Sequence, residues 1–166
     1  MRWLHELSQR EGGGLSVAVG GRSAASFERA QQRLARQGVP ASALHFVRMD
    51  AELSVDDLRE IVRGRAIVAH TAGPFQGRRD PTLLRACLAE GVAYVDVCDE
   101  WELARLAKEE LHQVAIDAEV PAVTAAGIWP GASALMAAEA TSKLGGPGAC
   151  KPVSYTHLRA HETDSY

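Results

Sequence analysis

Short β-branched runs alternate with amphipathic stretches along most of the chain, and this alternation limits the fold more than any other feature of the sequence. Leu15–Val19 (LSVAV), His45–Met49, Ala66–His70 (AIVAH), Ala93–Val97 and Pro121–Ala125 read as strands. Helices are expected from Ser23 to about Gln37, then over Ser54–Val62, Pro81–Glu90, Trp101–Ala118 and Gly131–Leu144. Phe27, Ala30 and Leu34 form one stripe of the first of these. Ser54 followed three residues later by Asp57 resembles a capping box, and Arg105 with Glu109 makes an i, i+4 charge pair. Met1–Gln9 reads as the end of a further helix, with Trp3, Leu4 and Leu7 on one face and Gly12–Gly14 as its stop. The strands show no polar alternation, so both of their faces are expected to be covered, as in parallel sheets joined by helical crossovers. The expected class is α/β, a doubly wound Rossmann-type parallel sheet with helices on both faces.

Composition narrows the function classes. The chain has 166 residues, room for one ordinary domain, and its 46% hydrophobic and 23% charged residues exclude a disordered or fibrous chain. A net charge of −3 gives no electrostatic footprint for nucleic acid or a membrane surface, and 5% aromatics leave little for base stacking. The long, weakly charged stretch Val120–Ser142 is interrupted by Pro121, Gly127, Pro130 and Gly131, so no membrane span is expected. Cys87, Cys98 and Cys150 are odd in number and have no paired spacing. Reduced thiols and a start without a secretory core point to an intracellular compartment, cytoplasmic or organellar.

Four constellations could carry chemistry. Gly20-Gly21-Arg22-Ser23 ends a strand and opens a helix. In dinucleotide-binding folds a carboxylate at this place meets the ribose 2′-hydroxyl, whereas a cation there accommodates a 2′-phosphate. The planar fork of Arg22 suits a phosphate, and the helix start beyond Ser23 adds amides and a positive dipole end. The plainer account is a surface arginine after a glycine turn. His70-Thr71-Ala72-Gly73-Pro74-Phe75-Gln76 lies where its strand stops, at the edge where open α/β sheets bind ligands. An ordinary glycine-proline turn is the alternative.

Tyr94-Val95-Asp96-Val97-Cys98-Asp99-Glu100 puts Asp96 and Cys98 on one face of a strand and Val95 and Val97 on the other. Asp96 is the candidate catalytic group. Asp99 and Glu100 also suit the first turn of the helix at Trp101, and no base near Cys98 in the sequence would activate its thiol. The fourth constellation, Ala126 to Ser133, offers the amides of Gly131–Ser133 as an anion-ready helix start, or else a plain strand-to-helix turn. His5, His45 and His112 read as solvated or satisfied side chains, and no Ser-His-Asp arrangement is present.

Residues 1–150 form the expected domain, and 151–166 fall outside its pattern. The string VSYTHLRAHET resembles the conceptual translation of a sequencing-library adapter, so the tail reads as non-native read-through. His157, His161 and Glu162 imitate a zinc helix, but a third ligand and its supporting shell are missing from the segment, and no metal is expected.

VAVGGRS, VAHTAGPFQG, GVAYVDVCDE and VPAVTAAGIWPGASALMAAE occur in the order and spacing of the saccharopine dehydrogenase-like oxidoreductase family, which the chain resembles over roughly Leu15–Leu144. The resemblance implies an NADP-binding Rossmann domain that precedes a separate substrate and dimerisation domain. A small-molecule substrate and a homodimeric full-length protein are therefore implied. Carried over residue by residue, Arg22 holds the 2′-phosphate beside Gly20, Gly21 and Ser23. Asp50 lies near the adenine end, and Thr71, Ala72, Gly73, Pro74 and Phe75 lie along the diphosphate and nicotinamide ribose. Gly127, Pro130 and Gly131 would stand at the junction toward the substrate domain.

The family opens with a strand and a glycine-rich loop, whereas this sequence starts at MRWLHEL, inside the first helix of that pattern. The expected Rossmann sheet is accordingly incomplete, with two inner strand edges unpartnered. The chain as written is expected to bind NADP weakly and to turn nothing over. The parent protein is expected to be an NADP-dependent oxidoreductase moving hydride to or from a small molecule. Two alternatives are a non-enzymatic NADP(H)-binding module or scaffold and a methyltransferase-like domain, the latter opposed by Arg22 at the place of the usual ribose-binding acid.

Overall fold

The computed structural model describes residues 2–10, 12, 16–50 and 53–146. Six helices and five strands follow in the order α1 (Arg2–Arg10), β1 (Val17–Gly21), α2 (Ala24–Ala35), β2 (Leu44–Arg48), α3 (Val55–Val62) and β3 (Ile67–His70). They continue as α4 (Thr82–Ala89), β4 (Ala93–Asp96), α5 (Trp101–Asp117), β5 (Ala122–Val123) and α6 (Ala132–Lys143). A short 3-10 turn at Ala41–Ala43 precedes β2. Every expected element is present, with boundaries moved by one to three residues at most ends. β1 extends through Gly20 and Gly21 because its ladder with β2 continues to Gly21↔Arg48, and the Met49 amide then donates to the Gly21 carbonyl at 3.0 Å.

All pairings are parallel, in two sheets: β1 with β2, and β3-β4-β5 in that order. β1 and β3 each keep one edge without a strand partner among the described residues. In the usual doubly wound order 3-2-1-4-5-6 the division falls where the first strand stands. This is an incomplete Rossmann-type α/β arrangement. The open sheets also explain an exposure that the apolar strands do not suggest: β1 has no buried residue and Ile67 of β3 is 57% exposed.

Local chemistry accounts for the helix starts. Ser54 Oγ accepts the Asp57 amide at 3.2 Å and donates to Asp57 Oδ2 at 2.6 Å, closing the cap of α3. Ser23 Oγ accepts the Ser26 amide at 3.2 Å at the start of α2. The main core is built by α3, α4, β4 and α5: Leu58, Val62, Leu84, Cys87, Tyr94 and Leu111 are all buried in it, and Met49 packs against it from beyond β2. Glu90, just past α4, takes Arg59 Nε from α3 and Arg63 Nε from its C-cap, each at 2.8 Å. Both arginines together hold the Glu90 carboxyl at about 2, well below its ordinary value.

The apolar face of α1 does not meet this core, for Trp3, Leu4 and Leu7 are exposed. Gly12 has the positive φ expected of a helix stop; Gly13 and Gly14 lie outside the described residues. So do Cys150, the tail 151–166 and its His157–His161–Glu162 group. Among the described residues no helix is long and apolar enough to cross a membrane.

Candidate functional site

The expected site residues separate into two groups, one at the carboxyl end of each sheet. At the first, Arg22 follows β1 and is exposed beside the N-terminus of α2, where Ser23 is already the N-cap. Asp50 follows β2 and is half-buried. Gly20 answers to packing: a Cβ there would come within 3.1 Å of Met49 Sδ. Its smallness therefore seats the methionine that joins β2 to the core.

At the second sheet, β3, β4 and β5 deliver three chain segments to one end. Thr71, Ala72, Gly73 and Pro74 are exposed after β3, while Phe75 turns inward and is 4% exposed. Its ring meets the His70 imidazole edge-on at 4.9 Å between centroids and packs with Cys98 and Leu103. The parallel register sets His70 opposite Asp96, and the period of two along β4 puts Tyr94 and Asp96 on one face.

These three polar side chains are buried and linked. Tyr94 Oη lies 3.0 Å from Asp96 Oδ2 and 3.0 Å from His70 Nδ1. The Asp96 carboxylate is an acceptor, so the single phenolic hydrogen goes to it, and Tyr94 Oη is left to accept from His70 Nδ1–H. Asp96 Oδ1 is also engaged, accepting the Cys98 amide at 3.0 Å and the Ala125 amide at 2.8 Å. Oδ1 thus fastens the end of β4 to the chain leaving β5, while Oδ2 is engaged by the Tyr94 hydroxyl. That is the work of a positioning residue; a general base needs a lone pair turned toward its substrate.

The tautomer leaves His70 Nε2 deprotonated, buried and without a hydrogen bond. Burial pushes the imidazole below its ordinary value; Asp96 opposes the shift, Arg78 adds to it, and the Ala72 backbone opposes it. His70, Phe75, Tyr94, Asp96, Cys98 and Thr124 contribute to the wall of a cavity of about 20 Å3, room for one water. Tyr94 is held far above the ordinary phenol range, by burial first and Asp96 second. Burial likewise raises the Cys98 thiol, so Cys98 is not an activated nucleophile.

Two sequence readings need correction. Asp99 does not serve the first turn of α5: it accepts from Gln76 Nε2 at 2.8 Å, and Glu100 is the N-cap. Nor are the amides after Gly131 ready for an anion. Ala132 donates to the Gly127 carbonyl at 2.9 Å and Ser133 to the Ile128 carbonyl at 3.1 Å. The turn is so tight that a Cβ on Gly131, at φ +127°, would lie 2.1 Å from the Gly127 oxygen. His70 and Tyr94 head two of the expected constellations, but neither carries a role of its own in the sequence reading. A histidine closing an apolar strand and a Tyr-x-Asp on the next one were the available signals.

Arg22, Asp50 and Thr71–Pro74 do not line this cavity. Among the described residues no group of three or more His, Cys, Asp or Glu side chains is placed to hold a metal ion.

Comparison with known proteins agrees with this architecture. A search of the curated proteins finds no match. The family model described as the saccharopine dehydrogenase NADP binding domain matches residues 3–125, from α1 through β5. The match starts earlier than the motifs suggest and stops before the Gly127–Gly131 turn and α6. With most of its length matched and its strands parallel, the chain belongs to the saccharopine dehydrogenase NADP binding domain family, whose cofactor is NADP.

Proposed function

We propose that Arg22 recognises the 2′-phosphate of NADP, with Gly20, Gly21 and Ser23 shaping the strand-to-helix corner around it. The observation that carries this reading is the exposed Arg22 guanidinium, set directly between the carboxyl end of β1 and the N-capped start of α2. Asp50 serves the adenine end. Thr71–Pro74 run along the diphosphate and nicotinamide ribose, with the buried Phe75 ring anchoring that loop from below. Bound there, the nicotinamide supplies hydride chemistry, and the chain contributes position and charge. The protein of which this domain is part transfers hydride to or from a small-molecule substrate, held by a further domain in a homodimer.

A specific observation favours a second reading, a non-enzymatic NADP(H)-binding module. Asp96, the candidate acid–base group, has both oxygens committed to the fold. Titrating the 166-residue chain with NADPH and with NADH, following nucleotide fluorescence, tests the cofactor assignment. A clear preference for NADPH supports it; equal affinity for the two removes the role given to Arg22. Hydride transfer to a panel of carbonyl and imine compounds separates enzyme from module, and by itself this chain is expected to show none.

A further inference from the structure

We propose that cofactor binding to this domain is linked to a proton on His70, which acts as a positioning residue beneath the Thr71–Phe75 loop. The inference rests on the cofactor reading above and deepens it.

His70 is the last residue of β3, so its backbone leads directly into that loop. Its ring is fixed on two sides, by the hydrogen bond from Nδ1 to Tyr94 Oη and by the edge-on contact with Phe75 at the far end of the loop. Nε2 has no such anchor. It is a buried acceptor with no hydrogen-bond partner among the described protein groups, beside a cavity with room for one water. Groups of this kind are rare in folded proteins because each carries a desolvation cost.

Protonation at Nε2 removes the mismatch. The imidazolium then has two donors, one for Tyr94 Oη and a second at Nε2, and the Ala72 backbone favours the charged ring. Tyr94 passes the influence of the Asp96 carboxylate to the ring. The titratable and charged groups around His70 are Tyr94, Asp96 and Cys98 from β4 and its end, and Arg78 and Asp80 from the loop before α4. α5 and the residue after β5 contribute only uncharged side chains, Leu103, Ala104, Ala107 and Thr124. Without ligand, burial and Arg78 work against the charged ring.

A diphosphate lying on the loop adds negative charge above the ring and shifts the balance toward the imidazolium. Binding therefore takes up a proton, and by linkage affinity rises as the pH falls through the His70 titration. A ligand that raises this pKa by one unit gains about tenfold in affinity once the pH is below the free-state value. The negative loop ligand and the proton then favour one another.

The test is NADPH affinity of the 166-residue chain between pH 8 and about pH 5, for the wild type, His70→Gln and Tyr94→Phe, with folding checked by circular dichroism. The nucleotide 2′-phosphate titrates identically against every variant, so the ratio of wild-type to His70→Gln affinity isolates the imidazole. That ratio is expected to rise several-fold toward low pH. Tyr94→Phe, which keeps the titrating ring but cuts its link to Asp96, is expected to move the midpoint to lower pH, a change that loss of packing alone does not produce. Binding heats measured in buffers of different ionisation enthalpy should show net proton uptake in the wild type beyond that of His70→Gln. Superimposable pH profiles for wild type and His70→Gln, with NADPH bound by both, overturn the linkage while leaving the cofactor reading intact. Failure of the wild type to bind NADPH at any pH overturns the cofactor reading, and the linkage with it.

Discussion

The Ala125 amide donates to Asp96 Oδ1 at 2.8 Å, and Ala125 sits at φ +57°, in the left-handed region. For a residue with a Cβ that conformation costs about 1–2 kcal/mol. The carboxylate on β4 thus holds the chain leaving β5 in a conformation it would not otherwise keep. The same oxygen takes the Cys98 amide, and Oδ2 takes the Tyr94 hydroxyl.

Asp96→Ala should accordingly be among the most damaging single changes in the domain. It strands three donors, each at about 1–3 kcal/mol when buried, so a loss of about 3 kcal/mol or more is expected in urea unfolding. Asp96→Asn retains one carbonyl oxygen for the two amides and should recover most of that stability. Equal loss from both variants would show that the amides draw their support from elsewhere.

Arg22 should govern cofactor choice and have little part in folding. Its side chain is exposed, so Arg22→Ser is expected to leave thermal unfolding nearly unchanged. A charge-assisted contact to phosphate contributes about 1.5–3 kcal/mol, so NADPH affinity should fall by about tenfold or more while NADH affinity stays level. Paired fluorescence titrations measure the ratio, and an unchanged preference would reassign 2′-phosphate recognition to another residue.

Glu90 makes stability depend on acid pH. Its folded carboxyl is lowered from an ordinary 4.5 to about 2 by hydrogen bonds from Arg63 and Arg59. A depressed carboxyl contributes stability that is fully present above the unfolded value and disappears as the pH falls through the folded one. Glu90→Gln should therefore lower the melting temperature at neutral pH, and its gap to wild type should close between about pH 4.5 and pH 2. A gap independent of pH would mean that the two arginines do not depress the folded carboxyl.

Leu58 and Leu135 give a contrast in burial. Leu58 of α3 is fully buried, and its truncation to alanine should cost about 2–5 kcal/mol through lost transfer energy and an unfilled cavity. Leu135 of α6 is 75% exposed, so Leu135→Ala should stay within about 0.5 kcal/mol. Chemical unfolding of the isolated chain distinguishes the two.

Helix starts were legible in the sequence because they are decided locally. Ser23 and Ser54 need only the amide three residues ahead, and both make that bond. Strand identity was legible too, since β-branched runs such as AIVAH leave few other conformations. Exposure was not. Ile67 and the apolar face of α1 look like core by composition, yet what covers a side chain depends on which element lies across from it. The engagement of the Ala132 and Ser133 amides was not legible for a related reason: their acceptors, Gly127 and Ile128, come from the far arm of a turn whose closure no propensity encodes.

From the residues alone came the α/β class, the order of its elements, a family resemblance carried by four motifs, and Arg22 as a cation at a strand end. Periodicity and capping act over a few residues, so the chain states them directly. Tertiary structure alone set His70 opposite Asp96, turned Phe75 under the loop, and spent Asp96 Oδ1 on two backbone amides and Oδ2 on the Tyr94 hydroxyl. Register between strands from separate segments is decided by packing over long sequence distances, and on that register the chemistry of a buried imidazole depends.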